Sequence, residues 1–304
     1  VIQLEWLFDE NENFDWELVA VDDGCPEGSG NIARQIVEND GLGNRVRVLF
    51  LKDAIENELP IAKNLKTTND SQKGGAVVYG MWDSIRRHEG GDHIIVYTDA
   101  DLTTHHGQTG CLIEPILAGD RSVAIGSRRE SDSVVVKQGT RNDRGKLFIY
   151  LWKRLLPGLG NIIDTQCGFK AFKSEAASHV IEDLIEQKFA FDIELLLRAE
   201  LLSSDSIEKV PIAWIDSEEA STTTNLQPYL PMLKSIVRMY RKYLPANAKA
   251  EEFASFIESL DAEGFDRLVD NIPDEILSRE PIEFTQFDEI TVPDLERAIA
   301  VSPE

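Results

Sequence analysis

Basic side chains are scarce in this sequence. Only 31 Lys and Arg face 54 Asp and Glu across 304 residues, a net charge of −23. Nucleic acid is bound through a basic face that neutralises phosphates, so this balance excludes nucleic acid as a partner. Cysteine is scarce too. Cys25, Cys111 and Cys167 lie far apart and form no CxxC pair. Their odd count argues against a disulfide framework and for a reducing, cytoplasmic setting. No uninterrupted apolar run of about 18 residues occurs, so no spanning helix is expected. No signal-peptide pattern is found.

What is present suits a globular fold. The hydrophobic fraction of 42% is enough for a sizeable core. Short apolar runs read as strands: "WELVAVDDG", "RVRVLFL", "HIIVYTDAD", "RSVAIGSRR" and "IEKVPIAWID". Between and after them lie helical patterns: "GSGNIARQIVEND", "KGGAVVYGMWDSIRRH", "DRGKLFIYLWKRLLPGL", "FAFDIELLLRAELL" and "LPMLKSIVRMYRKYL". This alternation predicts an α/β fold with a mostly parallel sheet flanked by helices. In such sheets ligands bind beyond the carboxyl ends of the strands. From about residue 246 the texture changes. Residues 245–304 carry sixteen Asp and Glu against four Lys and Arg, a net charge of −12. Phe253, Phe256, Leu260, Phe265 and Leu268 recur there at helical intervals. The expectation is a main domain over 1–245 and an acidic helical extension over 246–304.

Two strand ends carry the chemistry. Asp99 and Asp101 follow the buried run "HIIVYT". Residues i and i+2 of a strand point the same way, so both carboxylates can converge on one hard cation, Mg²⁺ or Mn²⁺, which would clamp a diphosphate. An acidic, solvated turn is the plain alternative. Asp22 and Asp23 end an earlier strand, and a carboxylate there can accept from a nucleobase imide or a ribose hydroxyl. Lys73, Gly74 and Gly75 open a helix, where Lys73 offers a cation to phosphate, or merely starts the helix. Arg128, Arg129, Arg141 and Arg144 are positive spots suited to phosphate, or ordinary surface arginines. His105 or His106 could be a metal or phosphate ligand, with a helix-cap role equally open.

In order along the chain, "VAVDDGCPEGSG", "KGGAVVYGM", "YTDADLTTH", "VAIGSRR", "DTQCGFKAF" and "FDIELLLRA" resemble the inverting family 2 glycosyltransferases of the GT-A fold. Among these the polyprenyl- and dolichyl-phosphate sugar synthases are most similar. The resemblance runs from residue 1 to about 243, and "DTQCGFKAF" is its most specific piece. It implies that Asp22 and Asp23 hold the nucleoside and that Asp99 and Asp101 hold Mg²⁺ or Mn²⁺ on the diphosphate. It implies that Gln166, Cys167 and Gly168 form the loop under sugar and acceptor. Asp192 and Glu194 match an acidic pair beyond that loop, with Asp192 the general base where the acceptor is a hydroxyl. The family's first strand has no counterpart here, Thr103 stands where the family often carries Gln, and the acidic extension has no counterpart either.

The implied reaction is attack of an acceptor oxygen on the anomeric carbon of a UDP- or GDP-linked sugar. Arg128 or Arg144 would help hold the leaving diphosphate or an acceptor phosphate. Polyprenyl phosphate is the acceptor the resemblance suggests, which implies peripheral membrane contact. Residues 144–163, aromatic and basic on one helix, are read either as that contact or as a core helix. The rival readings are a sugar-1-phosphate nucleotidyltransferase and a non-catalytic nucleotide-sugar binder.

Overall fold

A computed structural model describes residues 1–9, 13–88, 90–136, 142–216 and 228–300. Packing divides the chain into two compact units, Val1–Val136 with Gln166–Ser217, and Lys137–Thr165 with Glu218–Glu304. Arg141, one of the four arginines singled out above, lies outside the described residues.

In the first unit the expected alternation is present. Its strands are β1 (Leu18–Asp22), β2 (Val46–Phe50), β3 (Ile94–Thr98), β4 (Val123–Ser127), β5 (Val134–Val136), β6 (Phe169–Lys173), β7 (Ile207–Pro211) and β8 (Ala213–Ile215). Its helices are α1 (Ile2–Phe8), α2 (Ser29–Asn39), α3 (Leu51–Glu56), α4 (Gly74–Arg87), α5 (Thr109–Leu117), α7 (Ser174–Val180) and α8 (Phe191–Leu202). Strands β1 and β2 pair in parallel, as do β4 and β7, and β5 and β8. The central sheet runs β3-β6-β4-β7. Here the sequence reading needs refining, because β6 is antiparallel to both neighbours. Its residues Phe169 to Phe172 are all buried, but the sequence reading does not place this segment among the strands, and local pattern says nothing of its direction. Around the sheet, Phe8, Leu112, Ile116, Phe169 and Ile212 form one apolar core.

The second unit is helical: α6 (Asn142–Leu155), α9 (Tyr229–Tyr243), α10 (Ala248–Ser259), α11 (Ala262–Asp270), α12 (Asp274–Leu277) and α13 (Val292–Ala300). Residue 245 falls between α9 and α10, within this unit. Helix α6 is its axis. Leu147, Tyr150, Leu151, Trp152 and Leu155 are fully buried, and each large apolar side chain removed from water contributes about 2 kcal/mol. The basic residues are buried with them. Lys153 Nζ donates to the carbonyls of Gly160 (2.7 Å) and Pro281 (2.9 Å), and Lys146 Nζ donates to Leu277 O (2.9 Å). Arg154 donates to the carbonyls of Phe287 (2.7 Å) and Phe284. The reading of residues 144–163 as an interfacial face is therefore overturned. The positive charge that suggested lipid instead satisfies helix-end and loop carbonyls of the acidic C-terminal segment, which orphan acceptors require.

Candidate functional site

Strand β1 ends in Asp22 because the backbone turns sharply there, and Asp22 holds the turn. Its Oδ1 accepts from Gly24 N–H (2.9 Å) and its Oδ2 from Gly30 N–H (3.0 Å), in the first turn of α2. Asp22 is thus committed to the backbone. Asp23 is different. Burial raises its carboxyl pKa, partly offset by hydrogen bonds from the Ser71 hydroxyl and the Lys73 backbone. Its Oδ1 is buried with no hydrogen-bond partner. Buried acceptors are normally satisfied, so this atom is suited to a donor supplied from outside the chain.

Lys73 caps α4 with φ +134°, a conformation that a non-glycine residue holds only under constraint. The constraint is visible next door. A Cβ on Gly74 would lie 2.7 Å from Gln187 O, and Gly75 N–H donates to that same carbonyl at 3.0 Å. The strained cap places Lys73 Nζ 2.7 Å from Asp99 Oδ1. Burial works to lower the Lys73 pKa, but the charges of Asp192 and Asp99 outweigh it and hold the ammonium above its ordinary value. The cation is therefore kept charged.

Asp99 follows β3 and lies half-buried against β6. Its N–H donates to Gly168 O at 3.0 Å. A Cβ on Gly168 would fall 2.0 Å from Asp99 Oδ2, so glycine is the residue that leaves room for this carboxylate. Asp101 is exposed, and its Oδ1 accepts from Thr103 N–H (3.0 Å) and Thr103 Oγ1 (2.8 Å). Among the described residues no group of three or more His, Cys, Asp or Glu is arranged to hold a metal ion. Two carboxylates offer oxygen ligands of the kind a hard divalent cation takes, its remaining oxygens coming from a ligand.

Beneath this surface lies a group that sequence reasoning did not single out. Lys170, in the middle of β6, is fully buried. Its Nζ donates to Asp192 Oδ1 (2.6 Å) and to Cys167 O (2.6 Å). Tyr97 of β3 donates its hydroxyl to the same Asp192 oxygen. Burial, with the Asp192 charge, pushes the Tyr97 phenol well above its ordinary pKa. A lysine between Phe169 and Phe172 in a strand pattern was the available signal, since a charge there must have a partner. Asp192 is 1% exposed and so lies inside the protein. Glu194, fully buried, accepts from Ile185 N–H (2.9 Å) and Glu186 N–H (2.9 Å) and anchors the loop ahead of α8.

The remaining expectations are distributed as follows. The Arg128 guanidinium lies 5.1 Å from the Trp214 ring centroid. Arg144 stands exposed on α6, in the second unit. Gln166 is half-buried, and Cys167 and Gly168 are buried. His105 takes its cap role, with Nδ1 accepting from Gly107 N–H at 3.0 Å. The structure thus brings Lys73, Asp99 and Gly168 together, with Lys170 and Asp192 beneath, and sets Asp23 beside the Ser71–Lys73 turn.

Comparison with known proteins gives this geometry a context. No protein-family profile matches the chain. A dolichyl-phosphate beta-glucosyltransferase of Drosophila melanogaster is 29% identical over 240 residues, which is 76% of this chain and 65% of that protein. The Homo sapiens protein of the same name is 27% identical over 248 residues, 79% of this chain and 68% of its own. The chain thus spans about two thirds of these relatives' length. A solved structure of glucosyl-3-phosphoglycerate synthase from Mycobacterium tuberculosis, in complex with Mn²⁺, UDP-glucose and phosphoglyceric acid, superposes with a TM-score of 0.51. It is 18% identical and covers 76% of this chain and 70% of that one. The resemblance read from the motifs is borne out, and the fold is that of the GT-A glycosyltransferases.

Proposed function

We propose that this chain transfers a glucosyl group from UDP-glucose to a polyprenyl phosphate, with inversion at the anomeric carbon. The observation that carries the reading is the Lys73–Asp99 pair seated on Gly168, next to a turn where Asp23 Oδ1 lacks a donor. Similarity to dolichyl-phosphate glucosyltransferases over three quarters of the chain supports the donor and acceptor classes. Asp23 would accept from the nucleobase imide or ribose. Lys73 would move from Asp99 towards the diphosphate. Asp99 and Asp101 are the residues that would hold Mg²⁺ or Mn²⁺, whose bound charge would favour departure of the diphosphate. Arg128 is suited to a phosphate oxygen of the acceptor.

An oxygen of the acceptor phosphate attacks the anomeric carbon. The bond from that carbon to the diphosphate oxygen breaks, and its electron pair leaves with UDP. An acceptor phosphate is already ionised near neutral pH, so no proton has to be removed. Asp192 is then not a general base. It is a buried counter-ion that fixes Lys170 and, through Cys167 O, the loop that carries Gly168.

The test is incubation with radiolabelled UDP-glucose, Mn²⁺ and polyprenyl phosphate, followed by organic extraction. Glucose should enter the lipid phase as UDP appears, and Asp101→Asn should lose at least about tenfold in rate while melting like the parent. Pyrophosphate chemistry in place of UDP release would indicate a nucleotidyltransferase. Absence of either would leave a binder.

A further inference from the structure

The reaction makes no use of the ribbon formed by β5 and β8. Val134, Val135 and Val136 are 62%, 39% and 55% exposed. Successive side chains of a strand point to opposite faces, so three exposed valines in a row mean that, among the described residues, neither face is covered. Strand β8, parallel to β5, adds exposed Ile215 at 61%. The loop of Asp99 and Asp101 adds Leu102, exposed at 64% and held at φ +59°. A leucine in the left-handed region is a strained exception, and here the strain turns an apolar side chain to the outside immediately after Asp101. Ribbon and loop are joined through the backbone. Ile215 N–H donates to Thr103 O at 2.9 Å, and Thr104 forms a bridge with Trp214. Among the described residues, an uncovered apolar surface is therefore continuous with the proposed cation-binding loop.

We infer that this ribbon, with Leu102, is the surface by which the chain rests on a lipid leaflet. The inference builds on the acceptor reading above: the phosphate of a lipid-linked acceptor must reach the anomeric carbon of a donor held beside the Asp99–Asp101 loop while its hydrocarbon stays out of water. Few residues form the patch. A stable protein interface takes about 20–30 residues on each side, so a shallow insertion into acyl chains suits it better than a protein partner. Strands β5 and β8 contain no charged residue, and the net charge of −23 opposes anionic lipid. The contact is thus apolar, strongest on neutral vesicles and insensitive to added salt.

The experiment uses the full chain and the triple variant Val134→Ser/Val136→Ser/Ile215→Ser, all at exposed positions, with melting temperature as the control for folding. Flotation is measured on phosphatidylcholine vesicles. Transfer from UDP-glucose is measured to a long polyprenyl phosphate in those vesicles and to a short, water-soluble isoprenyl phosphate. The variant should lose about tenfold in vesicle-bound fraction and in long-chain transfer, with short-chain transfer and melting unchanged. A parent that does not float, a variant that floats equally, or an equal loss with both acceptors would overturn the inference. If the parent floats through the ribbon but glucosylates neither acceptor, the acceptor reading fails and the lipid surface stands.

Discussion

Helix α6 and strand β5 have exchanged the places their sequences suggest. "KLFIYLWKRLL" carries aromatic and basic residues as an interfacial helix would, yet its apolar face and its lysines are buried among helices. "VVV" is wholly apolar, yet it is the more exposed of the two. The lesson is that amphipathic pattern states what a segment needs covered, not whether anything covers it. For α6 the cover is supplied from far along the chain, by carbonyls at 277, 281, 284 and 287 and by Ile290 O, which accepts from the Tyr150 hydroxyl at 2.8 Å.

The comparison is broken most severely by deleting residues 246–304. That uncovers Leu147, Tyr150, Leu151 and Trp152 together, so the truncated chain should lose the cooperative melting of the second unit and aggregate. Size-exclusion chromatography and calorimetry read this directly, and a monodisperse, cooperatively melting product would show that the extension is dispensable. A smaller breach is Leu151→Ala. It should cost about 3 kcal/mol from lost burial plus the cavity left behind, measured by urea denaturation.

Alkali gives a comparable effect from Tyr150 alone. Burial pushes its phenol from 10 up to about 12. Between those values the unfolded chain has released the proton and the folded chain has not, so stability falls as pH rises. The loss should reach roughly 2–3 kcal/mol across that window, and Tyr150→Phe should remove this component of the pH dependence. The smallest effect belongs to the ribbon. Val135→Ser should change stability by no more than about 0.5 kcal/mol, because little is packed there to lose. A cost near that of Leu151→Ala would mean that β5 is covered in solution.

At the site, legibility followed chain proximity. Asp99, Asp101, Asp22 and Asp23 could be read because each sits where an apolar run stops, and Lys73 because it opens a helix at a glycine pair. Lys170 could not be assigned from its neighbours, since its partners Asp192 and Tyr97 come from α8 and β3. Nor could the different fates of Asp22 and Asp23. One accepts from the amide of Gly30 at the start of α2, while Oδ1 of the other has no hydrogen-bond partner among the described residues and its neighbours are Ser71 and Lys73.

The sequence by itself determined most of the alternation of strands and helices, the carboxylates at the strand ends and the acidic character of the last fifth of the chain. These depend on side-chain period and composition within a few residues. Only the tertiary structure decided that β6 runs antiparallel in the middle of the sheet, that Lys170 finds Asp192, and that α6 is covered while β5 is not. Each of those outcomes depends on which distant segment arrives to satisfy a buried charge, a backbone ladder or an apolar face, and local pattern carries no record of that.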